Sequence, residues 1–219
     1  MKVKLIILTL LLVTENAVFC QRETDIGFAG GASYYMGDIN PSIPFYSPGI
    51  NLGIVYRYNF NMHYVLKIEA NYLNLSGNDK DFTDEFRLSR SSSFNNTLAD
   101  FSAQFEFNFL PLKFEEKRIG FSPFISAGAA YAYSLNTKNI TSIPFALGMK
   151  FSFHKNWCFG LSWNFRKTFR DDIDKTINMF PEAYRTSLNN NDWYSFANIF
   201  VTYKIFDFRD ECPAYIKSY

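Results

Sequence analysis

The side chains able to do chemistry are few, and their spacing argues against a catalytic centre. The chain has two histidines, His63 and His154, far apart and each in a short polar turn. A zinc site needs several converging ligands, and a hydrolytic centre needs a base beside its nucleophile. Neither histidine has such a neighbour. Carboxylates gather at Asp79, Asp81, Asp84 and Glu85, and again at Asp171, Asp172 and Asp174. Neither run has the glycine and terminal glutamate of an EF-hand loop, so both read as solvated loop charge. The expectation is a non-enzymatic chain with no catalytic, cofactor-binding or metal-ligating residues and no cofactor.

Three cysteines complete the reactive set. Lys2 and Lys4 precede an apolar run over residues 5–13, too short to span a bilayer, and small residues follow over 17–20. This reads as an export signal over 1–20, cleaved to leave Gln21 first. Acylation of Cys20 is the alternative, opposed by the bulky Phe19 in front of it. Export reaches an oxidising compartment, where a disulfide is chemically admissible. Cys158 at the start of one strand and Cys212 just past another are expected at the same end of the molecule, where a bond between them would pin the C-terminal tail.

The elements that would hold these residues announce themselves in residues 99–109. Ala99, Phe101, Ala103, Phe105, Phe107 and Phe109 alternate with Asp100, Ser102, Gln104, Glu106 and Asn108. Period two means a β-strand with one apolar and one polar face. The pattern repeats over 26–36, 50–60, 63–75, 121–133, 142–153 and 157–169, and more weakly over 193–206, where both faces carry apolar residues. Eight strands of about ten residues suit a tilted crossing of a bilayer. Residues 77–96 and 170–192 read as long polar loops, and short turns alternate with the longer connections. Aromatic residues make up 19% of the chain, with 25 Phe and 14 Tyr, yet mean hydropathy is only −0.14. Rings are therefore interleaved with polar residues, which argues against helical spans past the N-terminus. A net charge of +1 gives no pull towards nucleic acid.

Alternation cannot say which face points inward, so a soluble lipocalin-like barrel is the competing architecture. The polar face favours the membrane. It is mainly Gly, Ser, Ala and Asn, which suits a narrow lumen better than a wetted surface. Its charges, Arg57, Lys67, Glu69, Asp100, Glu106, Lys150, Arg166 and Lys204, must then pair inside the barrel to offset desolvation. Tyr56, Tyr58, Tyr131, Tyr133, Trp157 and Trp193 fall near strand ends on the apolar face, as interfacial aromatics do. The fold class is thus all-β, an eight-stranded antiparallel outer-membrane barrel with a filled lumen. It is expected over 21–206, with a periplasmic tail over 207–219.

Several short runs, in order along nearly the whole mature chain, resemble the PorG-type outer-membrane proteins. They are Gly31-Ala-Ser-Tyr-Tyr-Met-Gly-Asp-Ile-Asn-Pro41, Tyr56-Arg-Tyr-Asn-Phe60, Glu106-Phe-Asn-Phe109, Ile143-Pro-Phe-Ala-Leu-Gly148, Arg166-Lys-Thr-Phe169 and Asn191-Asp-Trp-Tyr-Ser-Phe196. The resemblance implies a non-enzymatic anchoring component of type IX protein secretion in Gram-negative bacteria, a system that also drives gliding motility in some of them. It further implies a periplasmic ring partner built around a lipoprotein. Besides outer-membrane lipid, that ring is the expected partner. A periplasmic partner must meet the short turns or the tail, and the charged Lys113, Glu115, Glu116, Lys117 and Arg118 make the turn between the fourth and fifth strands the favoured contact. The alternative is an OmpA- or OmpX-like envelope barrel whose long external loops bind surface ligands. A small diffusion pore is a further option, disfavoured because side chains fill an eight-stranded interior.

Overall fold

In a computed structural model, residues 22–37, 40, 43–81, 93–112, 119–134, 139–154, 156–169 and 193–208 are described. They form eight strands: β1 (Arg22–Met36), β2 (Gly49–Asn59), β3 (Tyr64–Asn78), β4 (Ser93–Asn108), β5 (Gly120–Ser134), β6 (Ile140–His154), β7 (Trp157–Thr168) and β8 (Trp193–Phe208). Each strand pairs antiparallel with its neighbour in sequence, and β8 closes on β1. Closure satisfies the ladder hydrogen bonds and leaves no open sheet edge, which a hydrocarbon environment requires.

Alternation in the sequence becomes alternation in exposure. Along β4 the burial switches at every residue. Its phenylalanines face out and its polar residues face in. Phe28, Ile50 and Phe105 are 74%, 67% and 69% exposed, whereas Arg57, Glu106 and Arg166 are 1%, 2% and 0% exposed. A water-soluble barrel shows the reverse. The outer wall is therefore a hydrocarbon-facing surface, with runs such as 62–72, 99–109 and 143–153 that match the length of a tilted crossing.

Some expected boundaries move. Residues 77–96, read as one loop, contribute strand at both ends, with Gly77 opposite Phe94 and Asn78 opposite Ser93. The reason is that the outward face of this hairpin is polar. Asn74, Ser76, Asn78, Ser93 and Asn95 point outward beyond the apolar belt, while Leu75 and Phe94 point into the core. The first strand starts at Arg22 rather than 26, the sixth at Ile140, and β8 runs to Phe208, past the expected boundary at 206. Strand eight, whose faces looked alike, resolves by parity. Trp193, Ile199, Val201 and Tyr203 face out, and Tyr194, Phe196, Phe200 and Lys204 face in.

Candidate functional site

Among the described residues, the sequence-selected chemical side chains do not converge. His63 lies in the β2–β3 turn, with its ring Nδ1 2.8 Å from the Asn108 carbonyl and its plane over Phe107. His154 ends β6. Asp79 and Asp81 sit in a 3-10 turn after β3, where Asp81 accepts a hydrogen bond from Tyr46 at 2.6 Å. Burial and that carboxylate push the Tyr46 phenol up to about 12. No group of three or more metal-ligating side chains occurs among the described residues. Asp84, Glu85, Asp171, Asp172 and Asp174 lie outside those residues. So do Cys20, Cys212, Lys113, Glu115, Glu116, Lys117 and Arg118. Cys158 is a free thiol turned into the lumen and buried.

What the fold does bring together is the charge on the inward face. Strands β3, β4 and β7 converge on one cluster. Arg166 grips the Asp100 carboxylate at 3.3 and 3.1 Å and lies 3.8 Å from Glu69. Tyr194 donates to Asp100 at 2.7 Å. Glu69 meets Lys67 at 3.4 Å and accepts from Gln104 at 3.1 Å, and Ser126 donates to that glutamine's carbonyl. A second cluster centres on Glu106, which pairs with Arg57 at 3.4 Å and with Lys150. Lys150 also donates to Asn108 at 3.0 Å. Nearer the short-turn end, Lys204 pairs with Glu23 at 2.7 Å, and Asn59 donates to Asp25 at 3.3 Å.

All eight charges expected to pair inside the barrel are buried there and engaged. Sequence reading missed Glu23 and Asp25, because the first strand was begun too late, and Tyr194, because strand eight had no clear face. Shared parity with Asn198, Thr202 and Lys204 was the signal that would have placed Tyr194 inward. With those two carboxylates Arg57, Lys67, Lys150, Arg166 and Lys204 face Glu23, Asp25, Glu69, Asp100 and Glu106 within the strands, and the buried Asp79 adds a further carboxylate in the turn after β3.

Aromatic rings fill the space between these ions. The Arg57 guanidinium lies 4.3 Å from the Phe200 ring centre, and Lys150 lies 5.0 Å from that of Phe124. The two rings meet edge to face at 6.3 Å. Glycine makes the room, because a Cβ at Gly160 would stand 2.2 Å from Phe200 and one at Gly148 would stand 2.6 Å from Phe124. At the long-loop end, Tyr35, Leu73, Leu75, Phe94, Ile140 and Phe196 belong to one apolar cluster. At the other end, Leu112 of the β4–β5 turn packs from below against the cluster of Ala29, Phe124, Cys158 and Phe200. The described lumen is filled by ion pairs and rings, with apolar material at both ends.

A family model described as a domain of unknown function, DUF6089, matches residues 2–216. The chain belongs to the DUF6089 family. No curated protein matches significantly. Among solved structures, this DUF6089 barrel is similar to the outer membrane protein OprG from Pseudomonas aeruginosa, at 9% identity over 85% of this chain and 96% of that one, with a TM-score of 0.49. It is also similar to the N-terminal β-barrel domain of Pseudomonas aeruginosa OprF, at 14% identity over 84% and 100%, with a TM-score of 0.45. A third is Ail, the attachment invasion locus protein of Yersinia pestis, in complex with the heparin analogue sucrose octasulfate, at 13% identity over 84% and 98%, with a TM-score of 0.43.

Proposed function

We propose that this DUF6089 barrel is an outer-membrane anchoring component of type IX protein secretion that holds a periplasmic ring complex from its short-turn end. The observation that carries the anchoring role is the filled lumen. An ion-pair core capped by Leu112 below and the Leu75–Phe94 cluster above leaves the barrel as a support rather than a conduit. The assignment to type IX secretion is supported by the PorG-like runs in their order along the chain. The barrel enters the outer membrane after export through the cleaved signal, consistent with its apolar wall. Leu112, at the start of the β4–β5 turn, packs against the lower lumen cluster, and in this reading the charges from Lys113 to Arg118 that follow it in sequence are the contact with the ring.

The test is affinity purification of the tagged chain from detergent-solubilised outer membranes, with mass spectrometry of what accompanies it. Co-recovery of ring lipoproteins is expected, and it should fall when Lys113, Lys117 and Arg118 are replaced by Glu. A barrel recovered alone from membranes with an intact ring would reject the secretion role. That result would favour the second reading, a free-standing envelope barrel with surface-binding loops, for which the β3–β4 hairpin standing beyond the apolar belt offers a platform. In planar bilayers the chain should show no steady conductance.

A further inference from the structure

The outer wall has a notch above β2. That strand begins at Gly49, while β1 and β3 reach Met36 and Asn78. Part of the connection from β1 fills the gap, and its backbone is held there from both sides. Asn40, fully buried, donates its side-chain amide to the Tyr35 and Ile43 carbonyls at 2.9 and 2.7 Å and accepts from the Ile43 amide at 3.0 Å. Tyr46 accepts from the Asn78 amide at 3.2 Å, and the Ser47 and Ser76 hydroxyls meet at 2.7 Å. Phe45 and Ser47 have φ of 58° and 46°, a left-handed conformation uncommon outside glycine. Polar Tyr46 and Ser47 are thereby turned to the β3 extension, and Ile43, Pro44 and Phe45 are left facing out, all exposed.

Phe45 does not point into water above the barrel. Its ring lies 4.7 Å from that of Tyr34 and 6.1 Å from that of Trp163, both on the outer wall. Trp163 stands four residues inside Lys167, a charged side chain that faces outward and lies over Trp193 at 4.7 Å. Four residues of strand are about 13 Å. Phe45 therefore packs on the hydrocarbon side of the level that Lys167 and Trp193 mark. There the Trp163 indole donates to the Tyr34 hydroxyl at 3.0 Å, so the polar tips of these two rings meet each other rather than water. Five residues after Phe45 the chain reaches Ile50, an exposed apolar residue of β2.

We infer that residues 43–45 form a re-entrant clip, inserted into the acyl-chain boundary of the leaflet on the long-loop side, and that its partner is membrane lipid. This rests on the membrane reading of the barrel. It would fasten the barrel's height and rotation in the bilayer at one side, next to β1 and β7.

The test uses the full mature chain in phosphatidylcholine vesicles, carrying a nitroxide at Ile43→Cys in a Cys158→Ser, Cys212→Ser background. Collision with dissolved oxygen is compared with collision with a water-soluble nickel chelate. Labels at Phe101→Cys, in the belt, and Lys80→Cys, in the turn after β3, set the two limits. Heat-modifiable gel migration confirms that each variant is folded, and Pro44→Cys serves as a second clip label. The Ile43 label should favour oxygen and resemble Phe101 more than Lys80, and adding Phe45→Ser should shift it towards the Lys80 value. An Ile43 label matching Lys80 while Phe101 favours oxygen overturns the clip. A Phe101 label that favours the nickel chelate overturns the membrane reading and the clip together.

Discussion

The two halves of the lumen are filled by opposite means. Towards the long loops the filling is Tyr35, Leu73, Leu75, Phe94, Ile140 and Phe196, an ordinary apolar core outside or at the edge of the bilayer. Across the middle and towards the short turns it is Arg166 with Asp100, Lys67 with Glu69, and Arg57 and Lys150 on Glu106. The apolar half gains by removing surface from water and tolerates small imperfections. The ionic half gains little net stability over apolar packing and tolerates no missing partner, because a buried charge left alone keeps its whole desolvation cost.

Deleting the centre of the ionic half should have the largest effect. Glu106→Ala leaves Lys150 and Arg57 without their shared anion, and unfolding by urea in detergent, followed by gel migration, should show a loss of about 3–5 kcal/mol. Adding Lys150→Met should recover part of it, so that the double-mutant cycle reports coupling; strict additivity would show that the pair is not energetically linked. In the apolar half, Leu75→Ala should cost about 2–5 kcal/mol in the same assay, nearer the lower figure because a cluster at the mouth can collapse around the gap. Tyr194→Phe touches the border between the halves. Removing its hydroxyl from Asp100 should cost about 1.5–3 kcal/mol, while Arg166 still holds the carboxylate.

The smallest effect belongs outside the lumen, at Tyr46. Its phenol is pushed up to about 12 by burial and the Asp81 acceptor. A group whose folded value is raised contributes stability below its unfolded value, about 10, and loses it as pH rises from there towards about 12. Unfolding midpoints followed across that window should fall for the native chain by an increment that Tyr46→Phe lacks. At neutral pH the same substitution should cost about 0.5–1 kcal/mol. Equal midpoints for both chains at every pH would remove the Tyr46–Asp81 contact from the account.

Legibility in the sequence followed the strength of the alternation. Residues 99–109 show their faces without ambiguity, and the pairing of eight interior charges follows once that face is turned inward. Strand eight is only partly legible, because Tyr194, Phe196 and Phe200 fill the lumen with the same residue types that coat the wall. The β3–β4 extension was hidden for the converse reason. Its outward Asn and Ser residues are wetted beyond the belt, and a strand with one wetted face and few inward apolar residues has a loop's composition. The Tyr34–Phe45–Trp163 stack joins three segments far apart in sequence, and no local pattern foretells it.

By itself the sequence determined the class, the strand count and the two-faced wall, because side-chain period and strand length are local properties of the chain. Only the tertiary structure decided which ion meets which, how two glycines admit two rings, and where residues 43–47 lie. Those depend on the register around a closed barrel, which sets distances between strands that the chain order leaves free.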